Sequence, residues 1–307
     1  IPRGTPKFCY CSQILIMEEN TTLKDKCREY QKRRDYHVDT DKFIIAHIDG
    51  RSFSKMIKNK FQKPFDVNFI DMMNKTAQYL CQMVQGTHLA YVQSDEITLI
   101  IKKNTEDSDV FFGGRLCKMQ SIIASLATAK FNQLMTAKVI QDNMYETTLM
   151  DFEDTIHNPS ECVDTVLNMA LCQFDCKIWD VDNANDAMAW LLFRNIDCTR
   201  NSKQQTCQTY LSHKELMSKH TDEQVAFLLE EKGINWFDLP NGQKYGRLIQ
   251  KQMVTEERTF STKDGIERTK SCVRSKWQII DGFDLTVSAN RERITEMYPI
   301  FKDEGTI

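Results

Sequence analysis

The chain has 307 residues, 41% of them hydrophobic and 27% charged, a balance that excludes the disordered and fibrous classes. Forty Lys and Arg stand against 43 Asp and Glu for a net charge of −3, so the whole-molecule field draws in no polyanion and any nucleic-acid surface has to be local. The length suits one large domain or two small ones of roughly 100 to 200 residues each.

Residues 1–20 are expected to be a tail or a cloning remnant, with Met17, which heads an acidic helix-starting stretch, as a candidate true start. Residues 21–34 have helical spacing and a basic surface, from Lys24 to Arg33 and Arg34. Next, Phe43-Ile44-Ile45-Ala46-His47-Ile48 is a nearly continuous apolar run ending in Asp49-Gly50. It predicts a strand buried on both faces with a carboxylate where it stops. Residues 66–84 place Phe69, Met73, Ala77, Leu80 and Val84 on one helical stripe. Two short strands over 89–93 and 97–101 flank Ser94-Asp95-Glu96, which predicts a tight hairpin with the acids at its tip. A second amphipathic helix is expected over 115–136 and another strand over 174–179.

Strand, helix, strand, strand, helix, strand is the order of a ferredoxin-like, split βαβ palm core of the α+β class. It brings Asp49 and Asp95 together. Residues 139–172 form an acidic insertion, since no Lys or Arg occurs between Lys138 and Lys177. The expected division is a catalytic core over 21–195 and, over 196–307, an additional helical layer with a C-terminal extension for RNA binding and oligomerisation. Residues 258–276 carry six basic side chains against two acids. Arg268 and Lys270 there, with Arg33 and Arg34, are candidate phosphate contacts. His213 and Lys214 are candidate RNA contacts too, although Ser212-His213-Lys214-Glu215 equally satisfies a helix-capping box. Trp179, Trp190 and Trp236 stand among apolar neighbours and are read as packing residues.

Eleven cysteines run from Cys9 to Cys272 without a Cys-x-x-Cys pair, and no His stands at finger spacing. A reducing compartment is expected, not a disulfide framework or a structural zinc. No apolar run approaches the ~18 residues of a membrane span. The expectation is a soluble protein without membrane contact, in the cytoplasm or alternatively the mitochondrion.

Two carboxylates at adjacent strand ends, free of His or Cys neighbours, form a hard oxygen site suited to Mg²⁺ and hence to phosphates. In a two-metal site such acids bridge the ions; Asp49 and Asp95 can bridge and Glu96 can assist. Gly50-Arg51-Ser52-Phe53-Ser54 follows, where successive amides can cradle a triphosphate and Arg51 can clamp it.

The motifs Ala46-His47-Ile48-Asp49-Gly50-Arg51-Ser52-Phe53, Lys63-Pro64-Phe65-Asp66, Ala90-Tyr91-Val92-Gln93-Ser94-Asp95-Glu96-Ile97 and Phe174-Asp175 resemble, in order and spacing, the tRNA-His guanylyltransferase family of 3′-5′ polymerases. The resemblance implies a palm that adds nucleotides to the 5′ end of a tRNA. That end is activated with ATP or GTP and then attacked by the 3′-hydroxyl of the incoming nucleotide. It further implies two Mg²⁺ ions on Asp49, the Gly50 carbonyl and Asp95, a triphosphate held by residues 50–54 with Ser94, and Lys63, Asp66, Arg115 and Lys118 near the nucleotides or the 5′ end. A homotetramer is implied as well. Eukaryotic members that guanylate tRNA-His carry H-I-N-N-L-Y-N where this chain has Thr199-Arg200-Asn201-Ser202-Lys203-Gln204-Gln205. The missing His makes the run more similar to the like-protein branch, associated with template-dependent 5′-end repair. Arg200 and Asn201 remain candidate RNA contacts. The expected function is therefore 5′-end repair of tRNA. Single-G addition to tRNA-His is the alternative, and a non-catalytic tRNA-binding protein or a nucleotidyl cyclase stands further off.

Overall fold

In strand β1 (Phe43–Gly50), Ile44, Ala46 and Ile48 join one hydrophobic cluster while Phe43 and Ile45 join another on the opposite side. Both faces of the strand are covered, which is why its sequence is a continuous apolar run and not an alternating one. The computed structural model describes residues 22–56, 60–149, 159–261 and 267–301. The expected tail and the middle of the acidic insertion lie outside the described residues.

In chain order β1 follows helix α1 (Leu23–Lys32), and then come a single turn α2 (Phe53–Met56), helix α3 (Val67–Met83), strands β2 (Thr87–Gln93) and β3 (Glu96–Ile101), and helices α4 (Leu116–Leu149) and α5 (Pro159–Leu167). Strand β4 (Phe174–Val181) precedes the long helix α6 (Ala184–Tyr210), α7 (His213–Leu216), α8 (Thr221–Lys232) and α9 (Asn241–Lys244). Strands β5 (Arg247–Ser261) and β6 (Glu267–Asp281) and helix α10 (Ser288–Met297) follow. The sheet order is β4-β1-β3-β2-β5-β6 with every pairing antiparallel. Its first four strands have the order expected of the ferredoxin-like core.

Helices α3 and α4 cover one face. Asp66 caps α3 by accepting from the amides of Asn68 and Phe69. Phe69, Met73, Ala77 and Leu80 of α3 and Met119, Ile123, Ala127 and Phe131 of α4 then meet Ile44, Ile48, Val92 and Leu99. On the other face Ala187 and Leu191 of α6 and Ile294 of α10 meet Ile45, Leu89, Tyr91 and Leu248. The three tryptophans are packed as expected. Trp179 and Trp190 meet edge to face, and buried Trp236 donates its Nε1 to Ser202 Oγ at 3.0 Å. No helix among the described residues is long and apolar enough to cross a membrane.

The division at 195/196 falls inside α6, which runs unbroken from Ala184 to Tyr210. The additional helical layer is present as α6 to α9, and the C-terminal extension continues the sheet, because β5 pairs with β2 and adds two strands to the palm. Beyond Gln250, β5 leaves β2 and pairs only with β6, as far as Ser261 with Glu267. The resulting ribbon is wet on both faces, so polar and charged residues fill it and mask the strand signal. Ile249 lies in the shared, fully buried part, whereas Met253 is 70% exposed on the ribbon. Ile249→Ala should cost about 2–4 kcal/mol in urea unfolding, and Met253→Ala less than about 0.5 kcal/mol. Equal effects would show that β5 is not part of the core.

Candidate active site

Register places three carboxylates side by side at one end of the sheet. Asp49 lies opposite Glu96 on β3 and opposite Asp175 on β4. Residues directly opposite one another share a face, so Asp175, Asp49 and Glu96 form a cross-strand row on the α6 side. Asp95 joins them from the two-residue turn linking β2 to β3. Ser94 holds that turn in a left-handed conformation, φ 44°, where glycine is usual, and its Oγ donates to Asp95 Oδ1 at 2.9 Å. The Gly50 amide donates to the Asp95 carbonyl at 3.1 Å, which ties the end of β1 to the hairpin tip. A Cβ at Gly50 would stand 2.4 Å from the Phe53 ring and 2.9 Å from Asp95 Oδ2. Only glycine allows this approach.

The row is unevenly compensated. Arg194, buried on α6, pairs with Glu96 and reaches Asp197 at 3.0 Å; Gln93 Nε2 also donates to Glu96, at 2.7 Å. Among the described residues neither Asp49 nor Asp95 has an ion-pair partner. Burial, followed by the charges of Asp95, Glu96 and Asp175, pushes the Asp49 carboxyl up to about 6. Burial raises Asp95 as well. His47, two residues along the strand, is held below the ordinary imidazole value by burial, with Glu96 pulling the other way. Unpaired acids this close need a counter-charge or a proton. The carboxylates at this rim offer oxygen donors and so fit a hard divalent cation such as Mg²⁺. Among the described residues no three His, Cys, Asp or Glu side chains are assembled as a metal cluster.

A cleft of about 510 Å³ opens at this end of the sheet. Of the residues singled out from sequence it collects Asp49, Gly50, Ser52, Phe53, Lys63, Asp66, Ser94, Asp95, Glu96 and Asn201. Several have local duties. Asp66 also accepts from the Gln62 amide, Phe53 is buried among Phe69, Phe131 and Phe174, and Asn201 donates to Asp197 at 3.3 Å. The triphosphate cradle expected over 50–54 is shortened, because the Gly50 and Arg51 amides already donate to the Asp95 and Gln173 carbonyls. The Arg51 guanidinium is exposed and bonded to Gln173 Oε1 at 3.1 Å.

Other expected contacts lie outside the cleft lining. Arg115 pairs with Asp35 at 3.0 Å, and Lys118 lies over the Phe112 ring. Arg33 pairs with Glu29 on α1, Arg34 is exposed beside it, and Arg200 pairs with Asp197. His213 and Lys214 form the single turn α7, and Ser212 and Glu215 make the capping box around it. Arg268 and Lys270 are exposed on β6. Sequence reasoning missed Arg194, Cys198, Gln205, Gly242, Gln243 and Arg247, which support or line the cleft. Arg194 interrupts the apolar run Trp190-Leu191-Leu192-Phe193, and that interruption was the available signal.

A palm sheet with uncompensated carboxylates at its open end offers the oxygen donors that metal-assisted phosphoryl chemistry needs. The chain belongs to the Thg1 family, tRNAHis guanylyltransferase, whose family model matches residues 24–181; the family's members are nucleotidyltransferases. It is 26% identical to an uncharacterized protein of Acanthamoeba polyphaga mimivirus over 248 residues, covering 76% of this chain and 79% of that protein. It is 28% identical over 218 residues to a tRNA(His) guanylyltransferase of Candida glabrata, covering 67% of this chain and 81% of that one. In fold it is similar to a bacterial Thg1-like protein solved in complex with ATP, with a TM-score of 0.69 and 24% identity over 90% of this chain and 99% of the other.

The Asp49 carboxyl ionises near pH 6 when folded and near its ordinary 3.8 when unfolded. The folded state therefore binds more protons between those values, and the metal-free protein loses stability as pH rises through that window. Asp49→Asn should stabilise the metal-free protein at pH 7.5 by on the order of 1 kcal/mol, after discounting for partial exposure, and by almost nothing near pH 4. Thermal unfolding at the two pH values checks this; destabilisation at pH 7.5 would contradict it.

Proposed function

We propose that this chain adds nucleotides in the 3′-5′ direction to the 5′ end of a tRNA, after activating that end with ATP or GTP, and that it fills missing positions against the opposing strand. The observation that carries the reading is the uncompensated pair Asp49 and Asp95, at the open end of a palm sheet, in a chain of this family. Two Mg²⁺ ions held by Asp49, Asp95 and the Gly50 carbonyl would neutralise phosphate charge and acidify the attacking hydroxyl. The protein's own part is to fix these oxygens on two strands and a strained turn, so that little reorganisation is needed. Glu96, held by Arg194, positions the row and spreads its charge. Ser52, Lys63 and Ser94 contact the triphosphate.

Template dependence is favoured by the two positions where the family's His and Asn are replaced. Thr199 donates its hydroxyl to the Asn195 carbonyl at 2.9 Å, and buried Ser202 accepts from Trp236. Both side chains are satisfied inside the protein, so neither reads a base edge. Selection then falls to pairing with the opposing strand. RNA is held electrostatically by Arg33 and Arg34, by His213 and Lys214, and by Arg268 and Lys270 on the ribbon. Assembly as a homotetramer belongs to the same reading, and exposed Met253, Phe260 and Val273 on the ribbon favour contact between copies.

Asp49→Ala and Asp95→Ala should each reduce nucleotide addition at least about a thousandfold with circular dichroism unchanged, because charge is removed without emptying a core. Activity within tenfold of wild type would sink the assignment. The decisive substrate test offers 5′-truncated tRNAs that differ only in the base opposite the missing position, with all four NTPs. Incorporation of the complement in each supports repair. G added regardless of template, and only to tRNA-His, restores the guanylyltransferase alternative, and cyclic product from ATP alone would mark a cyclase.

A further inference from the structure

Arg247 opens β5 at its junction with the core, paired to Val92 on β2 and to Asp281 on β6. Gln93 alone separates Val92 from the Ser94–Asp95 turn, so Arg247 stands one strand away from the strand that leads to Asp95. Its side chain lines the same cleft as Asp49 and Asp95, yet the residue is only 6% exposed. Nε donates to Asn74 Oδ1 at 2.7 Å and Nη1 donates to the Gly242 carbonyl at 2.9 Å. Both acceptors are neutral, and among the described residues Arg247 forms no ion pair. Burial dominates and holds the guanidinium below its ordinary value, with Cys198, Tyr91 and then Asp281 pulling the other way. An arginine stays charged in a protein regardless. Burying a charge without a close counter-charge is costly, and a fold that needed only the two neutral hydrogen bonds would be better served by an amide side chain.

We propose that Arg247 is an anion-anchoring residue whose guanidinium receives a phosphate group in the cleft it shares with Asp49 and Asp95. The inference rests on the nucleotidyl-transfer reading of this cleft and adds to it a specific positive partner. Nε and Nη1 fix the plane of the guanidinium against α3 and the α9 loop, and among the described residues Nη2 has no hydrogen-bond partner. A planar fork already immobilised in this way loses little freedom when it binds phosphate oxygens. The same chemistry is presented by the triphosphate of a free nucleotide and by the 5′ phosphate of an RNA, and the test separates the two.

The experiment uses the full chain and its Arg247→Gln and Arg247→Lys variants. Dissociation constants are measured by calorimetry for tripolyphosphate, for ATP with Mg²⁺, and for an acceptor-stem RNA hairpin with and without a 5′ phosphate. Thermal unfolding without ligand is recorded alongside. Arg247→Gln should weaken at least one phosphate ligand by about tenfold or more, and Arg247→Lys should recover part of the loss. A loss confined to tripolyphosphate and ATP assigns the anchor to the free nucleotide, whereas a loss confined to the 5′-phosphorylated hairpin assigns it to the RNA end. Unchanged affinity for every ligand, even with a lowered melting temperature, would make Arg247 a purely structural residue and overturn the proposal. A wild-type chain that binds neither ATP nor the hairpin would instead fail the reading of the cleft itself, and the inference with it.

Discussion

Three carboxylates in register across three strands, with a fourth at the adjoining turn, are the constraint around which the open end of this sheet is built. The antiparallel register that pairs Asp49 with both Glu96 and Asp175 cannot slip by one residue without turning every buried side chain of β1 to the wrong face. Packing on both sides of the strand therefore enforces the crowding of the acids. Arg194 relieves one end by pairing with Glu96. Asp49 and Asp95 have no ion-pair partner among the described residues, and both line the cleft at this end of the sheet.

Helix α6 connects that chemistry to the second half of the chain. Asn195 is almost fully buried; its Nδ2 donates to the Tyr245 and Phe283 carbonyls and its Oδ1 accepts from the Leu285 amide. These bonds clamp α6 to the segments before β5 and after β6. The preceding residue, Arg194, steadies Glu96, and further along Asn201, Ser202 and Gln205 form a wall of the cleft. A helix that carries a core stripe, a structural amide and a cleft wall has few free positions, which accounts for its run of polar residues among apolar ones.

The palm itself was legible in the sequence because each of its elements has a local signature. β1 is a continuous apolar run, α3 and α4 repeat apolar residues every three or four positions, and Ser94-Asp95 interrupts two β-rich runs so briefly that only a tight hairpin fits. The ribbon was not legible in the same way. Where both faces of a strand are wet, alternation carries no burial signal, and Arg247–Ser261 reads as a polar segment with a basic bias. The supporting shell was hidden for another reason. Arg194 with Glu96, and Arg51 with Gln173, are contacts between residues far apart in the chain, and spacing does not encode them. The amide cradle was overread for the same cause, since the Gln173 carbonyl that takes the Arg51 amide belongs to a distant segment.

Asp49, its carboxyl pushed up to about 6 by burial and its acidic neighbours, should surrender its proton when a divalent cation binds. Calorimetric titration of the metal-free chain with Mg²⁺, in two buffers of different ionisation enthalpy, measures that exchange directly. At pH 6 binding should release about half a proton per chain from Asp49, and that release should fall away at pH 8, where Asp49 is already ionised, and in Asp49→Asn. Mg²⁺ binding at pH 6 with no proton release, or identical Mg²⁺ affinity in wild type and Asp49→Asn, would contradict it.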